Sequence, residues 1–513
     1  MGRKGWQTTT WWRELFRVKP LEEVLGERGA QGLRRRLGPF DLVFLGVGAI
    51  IGTGIFVLTG VAASRFAGPG VIISFVLAGV ASALAALVYA ELASMVPVAG
   101  SAYTYAYAAL GELVAWIIGW DLILEYTVAA GAVAIGWSGY LASFLKAWGI
   151  PVPAWMAAPP GAGGIVNLLA LPVVLFVAAF LTWGNRLSAT ANNLVVLVKL
   201  AAVVAFLAVG LPRLNPSLWF PMFPYGPAGV ITGASIVFFA YIGFDAVSTA
   251  AEEVTNPRRD LPRGILGSLA ISASLYVAVA AVLTGLVSWR ELNVPSPLAY
   301  ALARHGLAWA SALISLGAVA GLTSVILVNM FGQTRVFFAM ARDGLLPRLF
   351  ASLHPRFGTP ALATWLTATA VFAIAGFLPI ALVAELANIG TLAAFVLVSL
   401  GVIVLRRVRP EQPRPFRVPG FPWTPLAAMA FSLYLMLNLP LTTWIRFLVW
   451  LVLGLTIYGL YGRRASRLAP VWERPILAPQ PLAKPLERQE GGPLDHRPAS
   501  EDEDHPNRRP DRF

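Results

Sequence analysis

The amino-acid sequence predicts an all-α polytopic membrane protein with twelve transmembrane helices. Composition is the first ground: of 513 residues, 57% are hydrophobic and 13% charged, with a mean hydropathy of +0.69, a balance foreign to water-soluble domains. The second is length. Apolar stretches of about 20 residues, enough helix to cross roughly 30 Å of hydrocarbon, recur from Phe40 to Tyr461. The third is pattern. In lipid every backbone N–H and C=O must be paired internally, which only helices and closed barrels achieve, and long apolar runs without strand-like alternation select helices.

Taken in order, the spans are expected near 40–63, 69–96, 103–141, 165–184, 189–212, 227–253, 264–288, 307–341, 360–378, 380–405, 422–439 and 441–462, with Pro379 and Pro440 as turn markers in the two close pairs. Residues 1–38 form a basic segment ending in Arg34-Arg35-Arg36, with no apolar run before it, so the first span is expected to direct insertion without a cleavable signal peptide. Trp11, Trp12, Leu15 and Phe16, interleaved with Arg13 and Arg17, fit either a short interfacial helix or a disordered tail. The last residues, 463–513, mix Pro, Arg, Glu and Asp, include the run Glu501-Asp502-Glu503-Asp504, and are expected to form a disordered cytoplasmic tail.

Arginine placement sets the expected orientation. Clusters fall on alternate connections: the N-terminal segment, Arg258-Arg259-Arg263, Arg342-Arg348-Arg356, Arg406-Arg407-Arg409-Arg414-Arg417 and Arg463-Arg464. The opposite connections carry few cations, among them Arg65, Lys146 and Arg213. Both termini are therefore expected in the cytoplasm, with the chain in the plasma (inner) membrane. The formal charge of +13 is thus orientation charge, and no continuous basic face argues for nucleic acid. With no cysteine, disulfides and thiol chemistry are excluded. His305, His354, His496 and His505 lie in connections or the tail, so a proton relay within the spans needs another base.

Two spans carry interruptions. The first contains Gly46-Val47-Gly48-Ala49-Ile50-Ile51-Gly52-Thr53-Gly54-Ile55-Phe56 near mid-bilayer. Each glycine weakens a helix by about 0.8–1.0 kcal/mol relative to alanine. Alone, Gly48 and Gly52 read equally as a close-packing GxxxG face. The sixth span carries Phe238-Phe239-Ala240-Tyr241-Ile242-Gly243-Phe244-Asp245-Ala246. Matched breaks five helices apart point to an inverted-repeat transporter site. N–H groups freed at Thr53 and Gly54 would face a substrate carboxylate. Carbonyls freed at Ile50, Phe239, Ala240 and Ile242 would accept from an ammonium group. That pairing of donors and acceptors matches a zwitterionic α-amino acid. Phe239 reads as an aromatic gate or as ordinary packing.

These residues resemble the amino acid–polyamine–organocation superfamily, in particular bacterial proton-coupled members of its cationic amino acid transporter branch. The likeness rests on Gly48–Phe56, on Phe239–Asp245, and on a third stretch running from Glu252-Glu253-Val254-Thr255-Asn256-Pro257 to Arg263-Gly264-Ile265, and it extends from about Leu37 to Gly462. The resemblance implies a five-plus-five inverted repeat of LeuT-like form with helices 1 and 6 broken. Residues 39–212 would be the first repeat, 213–405 the second, and 406–462 two further helices. It also implies amino acid transport without ATP, consistent with the lack of a Walker-type phosphate loop.

Lys199 lies some ten residues into the fifth span, about 15 Å deep. A lysine there costs about 2.5–3.5 kcal/mol on insertion scales. An amine withdrawn from water gives up its proton more readily, so Lys199 reads either as the proton-coupling group or as half of a static ion pair. The resemblance implies that protonated Lys199 bridges the fifth helix to the first and to the eighth around Thr323 and Ser324. Asp245 is expected to cap the restarted half-helix. Glu125, with Asp121 one turn earlier, reads as structural pairing or as a contact to the substrate side chain, and the resemblance sets Glu125 beside the pocket with Asn329. In cationic-selective relatives the position matching Asn329 is small, and a bulkier asparagine bears against arginine or lysine as cargo. Glu91, Glu112 and Glu385 sit near helix ends and call for no special role.

The expected function is secondary active transport of L-amino acids, neutral ones such as alanine with cationic ones left open, coupled to protons by alternating access. An electroneutral exchanger is the rival within transport, and a non-transporting amino acid sensor or a channel-like pore the rivals outside it. No enzymatic constellation is evident, and no cofactor or metal is expected beyond the coupling proton. The expected partners are the amino acid and the bilayer. The sequence leaves open a small single-span membrane partner and the oligomeric state.

Overall fold

The computed structural model describes residues 17–19, 37–97, 101–184 and 189–469. The aromatic segment from Trp11, the triplet Arg34-Arg35-Arg36, and the tail beyond Ala469 lie outside them. Every regular element among the described residues is helical, apart from one isolated bridge between Leu37 and Val254. Eight helices are long and apolar enough to cross a membrane, and four shorter apolar helices accompany them.

Helix α1, Pro39–Ile50, starts with proline at its first position, and the Gly38 N–H donates to Asp41 Oδ2 at 3.0 Å. It stops at Ile50, because Ile51 turns extended (φ −73°, ψ 95°). Helix α2, residues 54–67, resumes in α- and π-helical turns. There follow α3 (Val71–Met95), α4 (Ser101–Ala109), α5 (Glu112–Ala147), α6 (Leu171–Thr182) and α7 (Ala189–Gly210). The second broken span is α8 (Gly226–Val237), a 3-10 turn at Phe238–Tyr241, and then α9 (Ala246–Thr249). Next come α10 (Pro257–Leu286), α11 (Pro297–Arg304) and α12 (Ala308–Arg342). The last four are α13 (Ala361–Phe377), α14 (Ile380–Val408), α15 (Trp423–Leu437) and α16 (Leu441–Ile457).

Three boundaries differ from those read in the sequence. The span expected at 103–141 is two helices, α4 and α5, separated at Gly111, whose φ of +98° no helix accommodates. The span expected at 264–288 begins instead at Pro257 and carries Pro262 inside it. A proline so near the start forfeits only a hydrogen bond to the exposed first turn. The span expected at 227–253 ends as a helix at Tyr241 and continues only as single turns.

Helices meet where small residues allow close approach. A Cβ on Gly46 would lie 2.3 Å from Ser268 Oγ, and one on Gly264 would lie 2.7 Å from Leu42 Cβ, so α1 lies directly on α10. Across α5 and α12, Gly119 faces Met340 and Gly332 faces the Tyr126 ring. Outward faces are apolar: α16 exposes Leu441, Ile445, Leu448, Val449 and Val452. A sustained exposed aliphatic stripe suits contact with lipid tails.

The acids near helix ends tie the bundle together. Glu91 pairs with Arg406 and Arg414 and accepts the Val418 N–H at 2.7 Å. Glu112 accepts from the hydroxyls of Tyr107, Tyr458 and Ser466. Glu385 accepts from Thr443 Oγ1 at 2.7 Å. The Leu37 N–H donates to the Glu253 carbonyl at 3.0 Å, and the Thr255 N–H to the Leu37 carbonyl at 3.1 Å. The segment entering the first broken span is thereby stitched to the segment leaving the second.

Candidate functional site

The two breaks touch. A Cβ on Gly54 would stand 2.3 Å from Ala240 Cα, and one on Gly243 would stand 2.9 Å from the Ala49 carbonyl carbon. Gly243 also has a φ of +116°, which bars an L side chain regardless of space. Glycine is therefore required on both sides of the crossing. Around it lies a small cavity lined by Ile50, Thr53, Gly54, Phe239 and Ile242 of the breaks, by Tyr126, Ala129 and Val133 of α5, and by Val325, Val328 and Asn329 of α12. It leaves about 20 Å³ for the centres of water molecules, room for one or two waters. That is too small for a molecule the size of an amino acid.

A helix that stops in mid-bundle leaves carbonyls without partners, and here three side chains supply donors. Lys199 of α7 is fully buried; its Nζ donates to the Gly48 carbonyl at 2.5 Å and to the Ile51 carbonyl at 3.0 Å. A cation at a helix C-terminus also meets the negative end of the helix dipole. The Tyr276 hydroxyl of α10 lies 2.8 Å from both the Ile50 and the Ala240 carbonyls. Its single proton serves one at a time, so it pins the two breaks to each other. Asn388 of α14 donates through Nδ2 to the carbonyls of Ser235 and Ile236, at 2.7 and 3.1 Å, at the end of α8.

The expected ammonium acceptors divide accordingly. Ile50 and Ala240 hold the tyrosine hydroxyl, and the Phe239 carbonyl holds the Ile242 N–H at 3.2 Å. Only the Ile242 carbonyl has no partner among the described residues. Carbonyls carry two lone pairs, so the occupied ones retain capacity for a second donor. Ala240 does not line the cavity; it packs on Gly54. Thr53 lines it, and its Oγ1, buried against Gly136 of α5, has no hydrogen-bond partner among the described residues.

The remaining expected residues lie around this centre. Asn329 lines the cavity while its amide donates to the Val325 carbonyl at 3.0 Å. Glu125 is buried one turn before Ala129 and does not reach the cavity wall. Thr323 accepts the Trp137 indole N–H at 2.9 Å and donates to its own helix, and Ser324 donates to the Gly321 carbonyl. Neither bonds Lys199, whose contact with α12 is apolar: a Cβ on Gly321 would lie 2.7 Å from Lys199 Cβ. Asp245 stands at the N-cap of α9 without a side-chain cap bond to that turn; its carboxylate faces the backbone N–H groups of Gly243, Asp245 and Ala246 and accepts the Tyr126 hydroxyl at Oδ2, 3.4 Å away. The one-turn α9 is too short to reward a cap. Asp121 Oδ1 is buried against Gly390 with no hydrogen-bond partner among the described residues.

Tyr276 and Asn388 were not picked out from sequence. Asn388, a lone amide in an apolar span, carries the polar-in-membrane signal that would have found it, whereas a tyrosine in a span carries none. Removing the bridge by Tyr276→Phe leaves the two buried carbonyls short of a donor, at about 1–3 kcal/mol. The expected result is a lower melting temperature and about tenfold weaker amino acid binding, measured by thermal unfolding and titration calorimetry.

Residues 37–457 match the amino acid permease family. The chain is 47% identical to a methylthioribose transporter of Bacillus subtilis (strain 168) over 456 residues, covering 88% of this chain and 99% of the relative. It is 49% identical to the branched-chain amino acid permease BcaP of the same organism over 460 residues, covering 88% and 99%. A vacuolar cationic amino acid transporter 4 of Arabidopsis thaliana is 39% identical over 406 residues, covering 77% of this chain and 68% of the relative. With two broken helices meeting at a small cavity inside an apolar bundle, and with this match across the bundle, the chain is a multi-pass membrane protein that belongs to the amino acid permease family.

Proposed function

We propose that the protein is a secondary active transporter of neutral L-amino acids, driven by protons through alternating access in the plasma (inner) membrane with both termini cytoplasmic. The twelve spans of this reading are the eight long helices and four shorter ones, with α1 and α2 forming the first and α8 and α9 the sixth. The observation that carries it is the abutment of two breaks around a cavity lined by Thr53 and Ile242, whose hydroxyl and carbonyl have no hydrogen-bond partner among the described residues. The substrate carboxylate takes the Thr53 hydroxyl and the N–H groups of Thr53 and Gly54, at the positive end of α2. Its ammonium group takes the Ile242 carbonyl and the second lone pairs of Ile50 and Phe239. Ala129, Val133, Val325 and Val328 face the substrate side chain, which suits alanine or a branched aliphatic residue.

Coupling follows from Lys199. Protonated, it holds the end of α1 through two charge-assisted hydrogen bonds. Neutral, it binds the same carbonyls with roughly half the strength. Only such a difference between states couples the proton to the conformation.

A thermal-shift screen of the twenty amino acids and methylthioribose, followed by proteoliposome uptake, tests this reading. Alanine, valine or isoleucine is expected to raise the melting temperature by mass action and to accumulate under an inward proton gradient. The methylthioribose transporter similarity supports a second reading. A sugar lacks both carboxylate and ammonium, so methylthioribose as the sole stabiliser would replace the amino acid assignment. Uptake that needs amino acid on both sides would indicate exchange, and binding without uptake a sensor.

A further inference from the structure

The basic start of α10 takes no part in the cavity between the breaks. Arg258, Arg259 and Arg263 line a separate, open-mouthed cavity with about 540 Å³ for the centres of water molecules. Its other walls are Pro262 and Leu266 of α10, and Pro415 and Phe416 of the connection between α14 and α15. All three arginines are exposed, and among the described residues none of their guanidinium groups has an ion pair or hydrogen bond. No described carboxylate lines the cavity. Arg406 and Arg414 are engaged on Glu91.

Three like charges held together without a counter-charge define the missing partner as an anion. Guanidinium groups match phosphate oxygens in fork geometry. The rest of the wall is apolar, which a small hydrated anion does not need. Arg259, Arg263 and Leu266 share one helix face by their spacing of four and three, and that side of α10 continues into the exposed Ala270, Ile271 and Ser274. Charge at the helix start followed by an exposed apolar stripe is the profile of a phospholipid lying headgroup-first along the helix.

We propose that this cavity binds the headgroup phosphate of an anionic phospholipid, with its acyl chains along α10. In the orientation proposed above, that lipid belongs to the cytoplasmic leaflet. Helix α10 also carries Tyr276 and lies against α1 through Gly264 and Ser268. A lipid fixed at its start therefore bears on the helix that pins the two breaks.

The test uses the full chain, delipidated in neutral detergent, with dioleoyl phosphatidylglycerol, dioleoyl phosphatidylcholine or soluble glycerol phosphate added. Bound lipid is counted by native mass spectrometry and stability by thermal unfolding. Phosphatidylglycerol is expected to stay bound and raise the melting temperature, while the other two do neither. Arg258→Gln/Arg259→Gln/Arg263→Gln is expected to weaken its retention about a hundredfold, and Arg263→Gln alone about fivefold. Equal effects of phosphatidylcholine would overturn the headgroup assignment. Equal effects of glycerol phosphate would make it a free-anion site, and unchanged lipid preference in the arginine variants would place the lipid elsewhere. None of these readouts depends on transport, so failure here is separable from failure of the transport reading.

Discussion

Lys199→Gln is expected to lose accumulation driven by a pH gradient, by about a hundredfold, while exchange of internal for external amino acid continues. Lys199 has no exposure, and its ammonium group bonds two carbonyls at the end of α1. Hydrogen bonds to charged groups contribute about 1.5–3 kcal/mol each, so losing the charge at two of them amounts to roughly the hundredfold above. Glutamine retains N–H donors and polarity without a titratable proton. It therefore separates the proton from the shape of the site. Lys199→Ala goes further, leaves both carbonyls without a donor, and is expected to lower the melting temperature as well. Uptake of labelled alanine into proteoliposomes, with and without an imposed gradient and then with internal alanine, measures both parts. Gradient-driven accumulation that survives either substitution would remove Lys199 from coupling.

Gly54→Ala is expected to abolish transport and to destabilise the protein, whereas Gly52→Ala, two residues away on the cavity wall, leaves stability close to the parent. The difference lies in what a methyl group would meet. At Gly54 it would fall 2.3 Å from Ala240 Cα and 2.4 Å from its Cβ, with backbone on the far side that cannot swing away. At Gly52 the nearest atom is a Val325 methyl at 3.4 Å, an ordinary contact. Overpacking of a filled interior costs about 1–3 kcal/mol, and here it pushes apart the two stretches that must close together. Parallel thermal unfolding and uptake assays of the two variants measure the contrast. Equal stability of the pair would mean that the breaks need not meet.

The sequence displayed the breaks because glycine clusters in mid-span conflict with the helical pairing that lipid imposes. Gly54 and Gly243 lie where that conflict is resolved, and Lys199 was conspicuous because a cation at such depth needs partners. What stayed hidden depends on contacts between distant segments. Tyr276 meets Ile50 across 226 positions of chain, and an aromatic residue in a span looks the same whether its hydroxyl is bonded or not. The turn at Gly111 lay inside a continuous apolar run, where hydropathy reports burial and not φ. The span expected at 264–288 starts earlier because Pro262, so close to the helix start at Pro257, removes little. Asp245 resembled a cap by its position, and its carboxylate faces nearby backbone N–H groups, yet it also accepts from Tyr126, a tertiary contact that local sequence does not encode.

The central claim is that backbone atoms at two opposed breaks bind the head of an amino acid. A structure of the protein with its transported amino acid bound tests it most directly. The expected result is a carboxylate within hydrogen-bond reach of the Thr53 hydroxyl and the Gly54 N–H, with the ammonium group on the Ile242 carbonyl and Phe239 folded over the substrate. Substrate bound away from both breaks, or held at its carboxylate by side-chain cations alone, would contradict the account.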